Sequence, residues 1–236
     1  MMEKNSIGWQ KQPDKLNIQG TIEKAIETIT KEEVDLMASG RTDRGVHALG
    51  QVANFKTNSD LPIEKIAIAI NANLKKSIRI LSAEEVSENF HSRITCKKKT
   101  YRYIINNSKY GTAIYRNLET HIPMKLDIEK MKEAVKYFEG EHDFKAFKAS
   151  GTSSKSSIRT IYKAEVKQMP DDRIYVELTG NGFLYNMVRI ITGTLVEVGL
   201  GKIEPKEIED IIKSKKRENA GKTLPPEGLY LVKVEY

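Results

Sequence analysis

Apolar residues recur at helical spacing over residues 21–32, where Ile22, Ala25, Ile26 and Ile29 fall on one face. The run VDLMA predicts a strand at 34–38, a glycine-punctuated loop fills 39–50, and QVANFK predicts a second strand at 51–56. Pro62 suits the first turn of a helix carrying Ile63, Ile66, Ala67, Ile70 and Leu74 on one side. The stretch IRILSAEEV then predicts a strand over 78–86.

The second half opens with a strand at 100–106 (TYRYIIN). A helix follows, capped by Asp127, with Met131, Ala134, Val135 and Phe138 on one face and Gly140 past its end. Strands near 158–168 and 173–180 are joined across PDD, a hairpin turn. Helical spacing returns in Met187, Ile190, Ile191, Thr194, Leu195 and Val198, and again from Pro205 through Ile208, Ile211 and Ile212. The chain closes on the alternating strand LYLVKVEY.

The second half therefore reads β-α-β-β-α-(α)-β and the first α-β-β-α-β. The two match if the first half had one more strand at its front. We expect an α+β protein of two ferredoxin-like (βαββαβ) halves, residues 1–96 and 97–236. Their strands would form a continuous mixed, mostly antiparallel sheet with a central cleft. The first N-terminal strand is expected to be missing, because MMEKNSIG is short and polar.

Composition narrows the class. No apolar run approaches the roughly 18–20 residues of a membrane span, and MMEKNSIGWQ has no hydrophobic core of a secretory signal. Cys96 is the single cysteine, so an internal disulfide or a thiolate-rich metal site is excluded. A cytoplasmic setting is expected. Lys plus Arg number 39 against 32 acids, a net charge of +7 that suits a polyanionic partner. CKKKTYRY (96–103) sets basic residues beside Tyr101 and Tyr103, a mixture suited to phosphates next to stacked bases. KSKKR (213–217) reads as a solvated helix face.

The densest chemistry sits in GRTDRGVH, residues 40–47. Asp43 is the loop's only acid, between Arg41 and Arg44, among Gly40, Gly45 and Gly50. It is either a salt-bridged hairpin residue or a carboxylate kept ionised as nucleophile or general base. His47 either acts as a base or orients the loop. Arg189 stands on an otherwise apolar helix and either reaches solvent or pairs with a carboxylate in a cleft. His91 and His142 have no metal-ligand spacing, and no phosphate-binding loop occurs, so neither metal nor cofactor is expected.

GRTDRGVHALGQVANF (40–55) closely resembles the signature of the bacterial tRNA pseudouridine synthase A family. GWQKQ (8–12), FHSR (90–93), KTYRYIINN (99–107), HDFKAF (142–147), GFLYNMVRIITGTLVEVGLGK (182–202) and AGKTLPPEGLYLVKVEY (220–236) resemble further family blocks, in order along the whole chain. The resemblance implies isomerisation of uridine in the anticodon arm of tRNA, at tRNA positions 38, 39 and 40. It implies that Asp43 is the nucleophile or base, that Tyr101 stacks on the target base and that Arg189 pairs with Asp43. Arg41 would help to flip the nucleotide, and Arg44, His47 and Gln51 would line the substrate site. It also implies a homodimer, with no cofactor. Family members begin with a strand ending in Tyr-Asp-Gly, which this sequence lacks. That departure keeps a second expectation open, an RNA-binding protein of the same fold with impaired catalysis. An Asp-dependent nucleosidase is a third.

Overall fold

In the computed structural model, residues 8–10, 17–151, 154 and 156–236 are described. The expected lack of a first strand concerns residues that lie outside this set. The protein is a mixed α/β chain whose strand pairing is mostly antiparallel. It divides into two compact units, Met1–Lys97 with Tyr236, and Lys98–Glu235.

The first unit contains α1 (Ile18–Thr30), β1 (Met37–Ala38), β2 (His47–Ala48), β3 (Ala53–Asn54) and α2 (Ile63–Ala72). Helix α1 starts three residues before the expected boundary because Asn17 caps it, accepting from the Gly20 amide. It ends at Lys31, which takes the left-handed conformation. Ile22 and Ile26 of α1 meet Ile66 and Ile70 of α2 in a core that also buries Trp9. Strands β1 and β3 pair antiparallel, Met37 opposite Asn54 and Ala38 opposite Ala53. Both are much shorter than 34–38 and 51–56.

The strand expected over 78–86 does not form. Ile78 and Ile80 do turn into the core, as their alternation requires. The backbone there bonds to a side chain instead of a strand: Asn71 Nδ2 donates to the Ile80 carbonyl at 2.7 Å, and Asn71 Oδ1 accepts from the Ile80 amide at 2.8 Å. One asparagine substitutes for a ladder partner.

The second unit runs β4 (Lys98–Asn106), β5 (Thr120–His121), α3 (Ile128–Lys136), β6 (Gly140–Asp143), β7 (Ile158–Gln168), β8 (Arg173–Gly180), α4 (Met187–Gly199), α5 (Glu207–Ser214) and β9 (Leu229–Glu235). Its strand order is β9-β4-β8-β7-β6, every neighbour antiparallel, with β5 parallel to the end of β4. Strands β7 and β8 match the predicted limits, and Asp172 at φ 57 turns the hairpin between them. One face of the sheet buries Tyr103, Ile105, Val176 and Leu178. The other carries polar ladders: Arg102 Nε bonds Glu177 at 2.9 Å and its guanidinium lies 4.8 Å from the Tyr175 ring centre. No helix among the described residues is long and apolar enough to cross a membrane.

Candidate active site

The loop between β1 and β3 holds Asp43, and its neck is braced before it opens. The Ser39 amide donates to the Val52 carbonyl at 2.8 Å, extending the ladder by one step. Ser39 Oγ donates to Gln51 Oε1 at 2.5 Å, and Gln51 Nε2 donates to the Gly40 carbonyl at 2.8 Å. Gln51 thus spans the neck with both ends of its amide. Ser92, fully buried within the FHSR block, locks the two strands from below. Its amide donates to Asn54 Oδ1 at 2.9 Å and its hydroxyl to the Met37 carbonyl at 2.6 Å. A serine beside a histidine and an arginine gives no sequence signal for such bracing.

Above this neck the chain makes a β-turn from Asp43 to Val46, closed by the Val46 amide on the Asp43 carbonyl at 3.0 Å. Gly45 takes φ 82, the left-handed value that a type II turn requires at its third position. The turn half-buries Asp43 while leaving Arg41 and Arg44 exposed. Thr42, Val46 and His47 point inward, His47 being 4% exposed. The loop therefore presents one carboxylate at the rim with two cations on the solvent side, a disposition that suits an anionic ligand approaching Asp43.

The second unit groups Tyr101 and Arg189 on one face of its sheet. Tyr101 alternates with the fully buried Tyr103 along β4, so both rings leave the strand on the same side. The Phe183 ring meets Tyr101 edge to face at 5.1 Å between centres and 78°, which holds the Tyr101 ring at a fixed tilt. Arg189 sits in the first turn of α4. Its Nε donates to the Leu224 carbonyl at 2.7 Å and its Nη1 to Asn186 Oδ1 at 2.7 Å. Tyr103 OH donates to the next carbonyl, Pro225, at 2.7 Å and is 2.5 Å from Thr120 Oγ1. Burial pushes the Tyr103 phenol well above its ordinary pKa, helped by Glu227 and opposed by the Thr120 hydrogen bond and the Arg189 charge. Phe183, Asn186 and Leu224 were not anticipated as supports. Phe183 and Asn186 lie in the block GFLYNMVRIITGTLVEVGLGK and Leu224 in AGKTLPPEGLYLVKVEY, but neither spacing nor composition singles them out.

A polar cleft of about 480 Å³ lies at the other end of β4, lined by Asn106, Arg116, Glu119 and His121 among others, and holds none of the expected site residues. Among the described residues no cluster of His, Cys, Asp and Glu has metal-binding geometry.

Comparison with known proteins adds an independent line. The sequence matches the tRNA pseudouridine synthase family over residues 4–94 and 134–236. It is 51% identical over 232 residues to "tRNA pseudouridine synthase A" of Caldicellulosiruptor saccharolyticus, covering 98% of this chain and 95% of the relative. Proteins of that name from Thermoanaerobacter sp. and Acetivibrio thermocellus show the same identity and the same coverage.

Proposed function

Because the chain belongs to the tRNA pseudouridine synthase family and so isomerises uridine in tRNA to pseudouridine, we propose that it acts on the anticodon arm, at tRNA positions 38, 39 and 40, with Asp43 as the reacting carboxylate. The observation that carries this reading is the Asp43 turn: a half-buried carboxylate on a glycine-shaped, hydrogen-bonded rim flanked by two exposed arginines.

The chemistry asked of the site is modest in reagents and strict in geometry. The N1–C1′ bond breaks, the uracil turns, C5 bonds to C1′, C5 loses its proton and N1 gains one. Nothing is oxidised, reduced or hydrolysed, so no cofactor is required. The ionised Asp43 attacks C1′ or removes the C2′ proton. A base inside a stem is out of reach, so the nucleotide is extruded. Arg41 takes part in that extrusion, Tyr101 stacks on the target base, and Arg189 pairs with Asp43 to keep it ionised. Arg44 and His47 line the nucleotide's path, and Gln51 shapes it by holding the loop neck. The two halves are ferredoxin-like, a reading supported in the second unit by the strand order β9-β4-β8-β7. The working form is a cytoplasmic homodimer that holds tRNA by backbone and shape.

Incubation with unmodified tRNA, followed by mapping along the anticodon arm, should place pseudouridine at those three positions. Asp43→Ala should cut tritium release from 5-tritiated uridine by about 10²–10⁴-fold or more while tRNA is still retained. Near-normal turnover in Asp43→Ala, or free uracil in place of pseudouridine, would overturn the assignment.

A further inference from the structure

The Asp43 turn leans on two residues that contribute only backbone to it. The Trp9 amide donates to the Thr42 carbonyl at 3.1 Å. Gly8 lies flush against the same peptides: a Cβ there would stand 2.9 Å from the Thr42 oxygen, 3.2 Å from the Arg44 nitrogen and 3.4 Å from the Asp43 carbonyl carbon. Those atoms are backbone on both sides of Asp43, so they cannot swing away as a side chain can. Gly8 also takes φ 107, which L residues with a side chain rarely adopt.

The other edge of this strap is tied to α1. The first two amides of a helix have no partner within it. Here the Ile18 amide donates to the Gly8 carbonyl at 3.3 Å and the Gln19 amide to the Trp9 carbonyl at 3.0 Å. The Trp9 ring is buried in the core between α1 and α2. A continuous chain of backbone bonds thus runs from the N-terminus of α1, through Gly8 and Trp9, to the peptide preceding Asp43. The neighbouring Thr42 hydroxyl is sealed from solvent and makes no hydrogen bond among the described residues.

We propose that Gly8 and Trp9 form a strap that positions the Asp43 carboxylate for reaction, and that Gly8 is required because only a residue without a side chain lets the strap touch the loop. The strap acts through Asp43, so the inference rests on the assignment of Asp43 above. Neither residue touches substrate; both are positioning residues. A displacement of about 1 Å at a reacting group is enough to cost on the order of 10²-fold in rate.

The test is the full chain carrying Gly8→Ala, assayed with unmodified tRNA beside Asp43→Ala. Expected is a fall in kcat of about 10–100-fold with KM for tRNA unchanged. Trp9→Phe, which keeps the amide and an aromatic ring, should retain kcat. Ile22→Val and Ile26→Val thin the core beneath α1 and should lower the melting temperature without lowering kcat. Full kcat in Gly8→Ala, or a loss that the two core variants reproduce at equal stability, would overturn the strap. Turnover in Asp43→Ala would instead sink the Asp43 assignment, so the two failures are separable. If Gly8→Ala does not fold, hydrogen exchange in the unaltered protein decides. The Val46 amide that closes the turn should exchange together with the Trp9 amide, and a Val46 much better protected than Trp9 would refute the dependence.

Discussion

Among single residues, Tyr103 carries the most checkable physics. Its phenol is fully buried, bonded to the Pro225 carbonyl and the Thr120 hydroxyl, and pressed so closely by Gly228 that a Cβ there would lie 2.7 Å from the ring. Tyr103→Phe leaves that carbonyl and hydroxyl short of a partner and should cost about 1–3 kcal/mol in urea unfolding at neutral pH. The pH dependence has a definite sign. An unfolded tyrosine ionises near 10, roughly as in model peptides, whereas the folded Tyr103 stays neutral higher because of burial. Its contribution is complete below pH ~10 and is lost as pH rises further, by about 1.4 kcal/mol per pH unit. Tyr230, raised to about 12 chiefly by burial, adds a slope of the same sign. Above pH ~10 the wild type should therefore lose stability more steeply than Tyr103→Phe. Parallel curves would mean that the phenol's burial is not what links the two.

Elements show where close approach, not periodicity, sets the site. Helix α4 crosses the segment after residue 220 so tightly that a Cβ on Gly193 would lie 1.9 Å from the Lys222 carbonyl oxygen, and one on Gly221 2.6 Å from the Thr194 nitrogen. The Gly221 amide donates to Thr194 Oγ1 at 2.9 Å, and a turn earlier Arg189 grips the Leu224 carbonyl. Gly193→Ala must push the two backbones apart, which should cost about 1–3 kcal/mol and loosen Arg189. Gly182→Ala, whose Cβ would meet only the Arg159 side chain at 3.6 Å, should be near neutral. Denaturant midpoints of the two variants check the contrast. The long strands β7 and β8 and helices α3 and α4 were legible because each has enough apolar residues at one period to declare its buried face. The short strands of the first unit were not, since β1 and β3 pair over only two residues each and Ser92 and Gln51 do the rest. Asn71 replaced a strand partner at Ile80 in a way that no pattern of hydrophobicity encodes. Asp43, Tyr101 and Arg189 stand out in the sequence as residue types within motifs; the strap, the neck and the grip on Leu224 each end on a backbone group brought near by the fold, to which sequence is nearly silent.

For the molecule as a whole, the excess of seven positive charges acts through where on the surface it is placed. The two basic blocks differ in their surroundings. In the second, Lys213 pairs with Glu209 at 3.1 Å and Lys215 with Asp143 at 2.9 Å, the latter helping Ser157 to hold the Asp143 carboxyl below its ordinary pKa. In the first, Lys97 and Lys98 are exposed, and the Lys98 ammonium lies 5.3 Å from the centre of the half-exposed Tyr162 ring, a cation beside an aromatic face. If the first block meets the RNA backbone, each lysine that neutralises a phosphate releases a counterion and steepens the salt dependence of binding. Raising monovalent salt from about 50 to 200 mM should then weaken tRNA binding at least tenfold, with kcat at saturating tRNA unchanged. Lys97→Glu and Lys98→Glu should each flatten the plot of log Kd against log salt by close to one unit, whereas Lys213→Glu should leave the slope alone. Equal slopes for all three variants would move the phosphate contacts off the 96–103 block and onto another face of the protein.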